Sequence, residues 1–153
     1  MEIQQGRNDI YLTLSRDGKP PSHFKLREFE NSGGLVMVHR STLESLEAVR
    51  ADLCAQYGEE VQVIITDGIR TQEDNERIAE KYGWADEGGA VARMSKHLTA
   101  YRGIAVDITA RVARTGARIS QRTLGDICRR HFDFVKDDYR DGHVHADNRN
   151  RAR

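Results

Sequence analysis

Apolar residues in this chain recur with two periods, and the switches between them mark out its elements. Ile10-Tyr11-Leu12-Thr13-Leu14 alternates like a half-buried strand and stops at the turn dipeptide Asp17-Gly18, with Pro20-Pro21 barring regular pairing beyond it. Phe24 to Phe29 follows, and then the break at Gly33-Gly34. Leu43, Leu46, Val49, Leu53 and Cys54 next fall three and four apart, as on one face of a helix. Ser41-Thr42-Leu43-Glu44 reads as a capping box opening that helix, and Gly58 as its end. Val61-Gln62-Val63-Ile64-Ile65 is short and β-branched, which predicts a strand. Thr71 then caps a polar helix running to about Lys81, with Gly83 beyond, and Arg70 falls at the strand-to-helix turn.

A second buried strand is expected over Gly103–Ile108, and a helix from Ser120 to about Arg130 with Leu124, Ile127 and Cys128 inward. Phe132–Val135 and His143–Ala146 read as a hairpin around Asp137–Gly142. Strands and helices mix without βαβ alternation, so the pattern predicts an α+β fold with a small antiparallel sheet and flanking helices.

At 153 residues the chain is expected to form one domain with a core that needs no disulfide staples. Lys plus Arg and Asp plus Glu both number 24, so no global field argues for nucleic acid or an anionic membrane surface. A basic run, Asn148 to Arg153, reads as a flexible terminal tail, and residues 1–23 as an N-terminal strand and loop extension. Cys54 and Cys128 are expected to be free buried thiols. No apolar run has the length of a membrane span and the N-terminus lacks an apolar leader. The expectation is a soluble monomer, cytoplasmic until released or exported by another route.

The chemistry is concentrated in three places: Ser95-Lys96-His97, Asp107 ten residues after that histidine, and His143-Val144-His145. Two histidines and one carboxylate suit a catalytic zinc, which takes three protein ligands and leaves a fourth position for water, whose pKa it lowers to about 7. Side chains two apart on a strand share a face, so His143 and His145 project together, and Asp107 shares its face with small Ala105 rather than with Val106 and Ile108. His23, His39 and His131 fall in no such pattern, and Gly88-Gly89 lacks the strand, turn and lysine of a phosphate cradle.

Taken in order, Phe24-Lys25-Leu26-Arg27-Glu28-Phe29, Ile65-Thr66-Asp67-Gly68-Ile69-Arg70-Thr71 with Asn75, Ser95-x-His97 with Gly103-x-Ala105-x-Asp107, and His143-x-His145 resemble the D-Ala-D-Ala carboxypeptidase family of zinc peptidases. That family is related to lysostaphin-type peptidases and the hedgehog signalling domain. The resemblance covers residues 24–147 and implies a hedgehog/DD-peptidase-like domain carrying one zinc ion in an open cleft. It implies His97, Asp107 and His145 as ligands, and Arg70, His143 and Asp141 as catalytic groups. Arg70, Ser95 and Tyr101 would contact a peptidoglycan peptide. Two features depart from the family. The interval from His97 to Asp107 is longer than in relatives, as if Ala100-Tyr101-Arg102 had been inserted, and Gly142 stands where many relatives place an acidic base, leaving Asp141 one residue out of register.

The implied activity is amide hydrolysis in peptidoglycan peptides, by a carboxypeptidase or a cross-link endopeptidase, possible in a phage-derived wall hydrolase. A catalytically silent binding module of the same fold is the alternative. His143-x-His145-x-Asp147 also matches a ligand run of metallo-β-lactamase-like hydrolases, but the six residues after Asp147 include no further histidine. A mononuclear iron oxygenase would accept the same ligand set and leave the Arg70 and Ser95 motifs unexplained.

Overall fold

In the computed structural model, which describes residues 10–15, 17 and 21–151, the longest apolar stripe forms helix α1 (Arg40–Tyr57). Leu43, Leu46, Val49 and Leu53 are buried, while Cys54 is half-buried at the edge of the core. Gly58 ends the helix in the left-handed conformation and returns its N–H to the Cys54 carbonyl at 2.9 Å. The start of α1 differs from the expected capping box. His39 is the N-cap and accepts from the Ser41 N–H at 3.1 Å through ring Nδ1. Ser41 and Thr42 are buried and make tertiary bonds instead: Thr42 Oγ1 donates to the Gly103 carbonyl at 2.8 Å, and Ser41 Oγ accepts from Asn148 Nδ2 at 3.3 Å.

Strands β1 (Val61–Asp67), β2 (Ala105–Val112), β3 (Phe134–Lys136) and β4 (Val144–Asp147) form one antiparallel sheet in the order β1-β2-β4-β3. Helices α2 (Gln72–Tyr82) and α3 (Gln121–Cys128) complete the α+β arrangement among the described residues. Thr71 caps α2, as its sequence predicts, and does so in a full capping box with Asp74; Ser120 caps α3 by accepting from the Thr123 N–H. Expected boundaries move by a few residues: β1 runs on to Asp67, β2 starts at Ala105 and continues to Val112, and β3 starts at Phe134.

Val61, Val63, Val106, Ile108, Ala110, Val144 and Ala146 face one side of the sheet, where α1, α3 and the pair Phe24 and Phe29 cover them. Burial of each such side chain contributes about 1.5–3 kcal/mol for the larger ones, which makes this the side that fixes the sheet. Cys128 lies fully inside it, and burial pushes its thiol up to about 12. Both cysteines are free, as expected.

Two expectations are corrected. Ile10–Leu14 is not a sheet strand; Tyr11 forms an isolated bridge with Lys25, Leu12 donates to the Phe24 carbonyl at 2.9 Å, and Leu12 and Leu14 pack against the core. Gly18 and Pro20 of the expected turn lie outside the described residues. The basic run does not fray from residue 148. Asn148 is fully buried, bonded to Ser41 and Ser45, and Arg151 Nε donates to Asp133 at 3.0 Å. Ala152 and Arg153 lie outside the described residues. No helix among the described residues is long and apolar enough to cross a membrane.

The approach to β2 depends on Gly103. Its φ is +82°, and a Cβ there would meet the Met37 carbonyl and Val38 Cα at 2.7 Å, directly below the N-terminus of α1. Gly116 also has a positive φ, +74°, but its Cβ would meet nothing within 4 Å. Gly103→Ala is expected to cost about 3 kcal/mol, combining left-handed strain with overpacking, and Gly116→Ala only about 1 kcal/mol. Denaturant unfolding of the two variants measures the difference.

Candidate metal centre

The register of the sheet sets one row of side chains across all four strands: Asp67 on β1, Asp107 on β2, His145 on β4 and Lys136 on β3. This row lies on the face opposite the core, in keeping with the period of two that separates Asp107 from Val106 and Ile108. Asp67 joins it through a bulge. The register shifts between Ile65 and Asp67, leaving Thr66 as the extra residue, whose Oγ1 donates to the Asp107 carbonyl at 3.2 Å.

His97 reaches the row from a loop held to the end of β1. Arg70 N–H donates to the His97 carbonyl at 2.8 Å and Thr99 N–H to the Arg70 carbonyl at 3.1 Å, forming a short parallel bridge. The long interval to Asp107 is taken up beyond this bridge. Thr99–Tyr101 makes one 3-10 turn, and Arg102 and Gly103, both with positive φ, turn the chain back into β2. His97 Nε2 therefore lies 3.0 Å from Asp107 Oδ1 despite the extra residues.

The hydrogen bonds decide which ring nitrogens carry protons. His97 Nδ1 faces the Gly68 carbonyl at 2.6 Å, and a carbonyl only accepts, so this nitrogen is the donor. His145 Nε2 faces the Asp147 carboxylate at 2.8 Å and donates to it. In the neutral rings the remaining nitrogens, His97 Nε2 and His145 Nδ1, then present lone pairs. These lie 3.1 Å from each other, and each lies close to Asp107 Oδ1, at 3.0 and 3.1 Å. Three lone pairs in one small triangle repel unless a cation shares them. A tetrahedral ion with bonds of about 2.0–2.1 Å sets its ligands about 3.3–3.4 Å apart, close to the edges of this triangle. The group His97, Asp107 and His145 can thus hold a metal ion, and all three residues are at most 9% exposed.

Without an ion, protons take over the neutralising role. Burial works against the charge on Asp107, but the adjoining His97 charge and the hydrogen bonds from both imidazoles hold its carboxyl far below the usual range. Burial likewise disfavours a charged His145, yet its bonds to Asp107 and Asp147 push it up to about 9. Asp147 is fully buried; bonds from Arg149 and His145 overcome that burial and lower it to about 2. Arg149 grips Asp147 with two side-chain bonds, 2.9 and 2.8 Å, and its guanidinium stacks 3.8 Å above the Phe134 ring.

The other expected site residues fall into two groups. His143 borders the triangle, with Nε2 3.6 Å from Asp107 Oδ2 and Nδ1 bonded to the Asp141 carboxylate. Arg70 is held by Asp67 at 2.5 Å, Asn75 at 3.1 Å and Ser95 at 3.4 Å, and its Nε is the buried side-chain polar atom without a partner among the described residues. Ser95 Oγ also accepts from the His97 N–H at 3.3 Å, which ties the arginine to a ligand loop. Tyr101 makes no hydrogen bond to the triangle; the Lys96 ammonium lies 4.1 Å from its ring centroid. Asp147 was legible, being two residues from His145 on the same strand, but Arg149 carries no spacing that marks it.

No protein-family model matches the chain, and a search of curated proteins finds no significant match.

Asp147→Asn keeps the side chain's shape but removes the charged acceptor that orients His145. It is expected to weaken metal binding by about 10- to 100-fold, read by competition with a chromogenic chelator, while unfolding stays cooperative. A second expectation concerns pH. His145 is raised from 6.5 to about 9, so its contribution to the stability of the chelator-treated protein is complete below about 6.5 and lost as pH rises through 9. Asp147 is lowered from 3.8 to about 2, so its contribution is present above 3.8 and lost as pH falls through 2. The thermal midpoint of the chelator-treated protein should therefore be flat between about pH 4 and 6.5 and fall toward pH 9. Metal-loaded protein should not show the alkaline fall, because the ion replaces the proton.

Proposed function

We propose that this chain is a zinc-dependent peptidase of the D-Ala-D-Ala carboxypeptidase type, with a hedgehog/DD-peptidase-like fold, hydrolysing amide bonds in peptidoglycan peptides. One observation carries the reading: the chain's own hydrogen bonds leave the lone pairs of His97 Nε2, His145 Nδ1 and Asp107 Oδ1 within 3.0–3.1 Å of one another, with His143 Nε2 3.6 Å from Asp107 Oδ2. Two imidazoles and a carboxylate form a donor set that suits zinc. A zinc ion held there would polarise the scissile carbonyl and lower the pKa of a water.

The remaining tasks belong to the chain. Asp141 accepts from His143 Nδ1, which leaves Nε2 turned toward the ligand triangle. His143 Nε2 is then the atom that takes a proton from the attacking water and passes it to the departing amine, with Asp141 orienting the ring. Arg70 offers its guanidinium to a peptide carboxylate or to the oxygen that gains charge. Its fork is already fixed by Asp67, Asn75 and Ser95, so little ordering is required on binding.

Elemental analysis after purification without chelator should find about one zinc per chain, lost in His97→Ala, Asp107→Ala and His145→Ala. Muropeptides are the substrates to try next: release of free D-alanine marks a carboxypeptidase, and separation of cross-linked stems an endopeptidase. Arg70→Lys should retain the metal and lose turnover by about 100-fold, since a lysine cannot reproduce the planar fork. Absence of zinc from the wild type would sink the proposal, and zinc without cleavage of either bond would reassign the chain to peptide binding.

A further inference from the structure

A cavity of about 470 Å³ starts at the β1 end of the row of site residues. Asp67, Gly68 and Arg70 line its near end, and each is tied to the metal triangle. Asp67 stands opposite Asp107 in the sheet register, the Gly68 carbonyl accepts from His97, and Arg70 donates to Ser95, two residues before His97. His97, Asp107 and His145 do not themselves line the cavity. Opposed residues on antiparallel strands have Cα atoms about 4.5–5.5 Å apart, so the cavity starts within about two extended residues of a metal ligand.

From there the cavity follows α2. Ile78 and Tyr82 line it from that helix together with Ile65 of β1, and its other wall is the segment 28–32, which Asn31 Nδ2 ties to the helix by donating to Asp74 Oδ2 at 3.1 Å. Tyr82 is 55% exposed, an aromatic ring left uncovered at the far end. Lys81 lies there too: its ammonium is 5.3 Å from the Tyr82 ring centroid and makes no ion pair among the described residues. At a rise of about 1.5 Å per residue, Lys81 is about 14 Å along the axis from Gln72, the first residue of α2, which is the length of about four extended residues.

The two ends of the cavity differ in charge. Arg70 is matched by Asp67 at 2.5 Å, so a terminal carboxylate set against it would meet a second carboxylate, whereas Lys81 has no such partner. We propose that this cavity holds the leaving side of the substrate chain in extended form, so that the amide cut is internal and the chain is a cross-link endopeptidase. This rests on the peptidase reading for the reaction itself. Water splits the amide into a carboxylate on the stem held at the metal and an amine on the stem held in the cavity. Beyond Arg70 the leaving stem meets Ile65, Ile78 and Tyr82, and a carboxylate about four residues on meets Lys81. Glu28 and Glu30 on the opposite wall suit an ammonium of the same stem.

Ile78→Trp fills the cavity, and Lys81→Glu reverses the charge at its far end; neither residue contacts the metal triangle. Zinc content and cooperative unfolding are measured for both variants, followed by kinetics on cross-linked muropeptide dimers and on the monomeric pentapeptide. The zinc-loaded wild type is expected to separate dimers with a kcat/KM at least about 10-fold above that for release of D-alanine from the monomer. Lys81→Glu should raise KM for the dimer about 5-fold and Ile78→Trp about 10-fold, with kcat changed little in either. Faster release of D-alanine than separation of dimers, or a wild-type KM in both variants, would overturn the proposal and leave the peptidase reading standing. If the zinc-loaded wild type cleaves neither substrate, calorimetric titration with the dimer decides. Binding that the two variants weaken upholds the cavity as a peptide site while the hydrolase reading fails, and binding that is absent or unaltered in the variants overturns both.

Discussion

Three lone pairs held about 3 Å apart are a source of repulsion that a protein does not keep without a counter-charge. Here the repulsion is enforced from outside the triangle. The Gly68 carbonyl fixes the proton of His97 on Nδ1, and the Asp147 carboxylate fixes that of His145 on Nε2, so neither neutral ring can turn its donor inward without breaking a bond at its far edge. Asp147 cannot give way either, since Arg149 holds it by two bonds and is itself stacked on Phe134. The consequence is a site that must be filled by a cation or by protons, and the raised proton affinity of His145 is the protonated form of the same constraint.

The sheet makes this constraint sustainable. Opposed residues on antiparallel strands have Cβ atoms about 5 Å apart, so the Asp107–His145 register alone brings two of the three ligands together. A one-residue slip would turn both to the core, and that slip is opposed by Val106, Ile108, Val144 and Ala146, which are packed under α1 and α3. The apolar side of the sheet therefore fixes the position of its polar side. The bulge at Thr66 extends the arrangement by bringing Asp67 into the row, and Asp67 in turn anchors Arg70.

What the sequence disclosed and what it withheld follow from the range of the interactions. Asp107, His143 and His145 were legible because the strand period is local, α1 and α3 because their apolar stripes are local, and α2 because its Thr71 cap is local. The contact between His97 and Asp107 was not legible from spacing, because it depends on a 3-10 turn followed by two left-handed residues, Arg102 and Gly103. Ser41-Thr42-Leu43-Glu44 misled by its form: the buried tertiary bonds of Ser41 and Thr42 outweighed a local capping box and left the cap to His39. The C-terminal run misled by its composition, since two of its arginines are matched, Arg149 with Asp147 and Arg151 with Asp133.

The four residues Asp141, His143, His145 and Asp147 also make a sequence pattern with its own logic, each histidine being bonded to the aspartate two residues outward from it. The pairs are alike in chemistry and opposite in surroundings. Asp147 is sealed from solvent, and its bond to His145 serves to hold a ring still. Asp141 is 70% exposed, so its bond to His143 is made at the rim, where a proton can leave for water. Its carboxyl is kept low chiefly by the His143 backbone N–H, which holds it as the acceptor. In the proposed reaction the inner pair would therefore belong to the metal and the outer pair to the proton, a division of labour set by depth alone, because both pairs use the same two residue types.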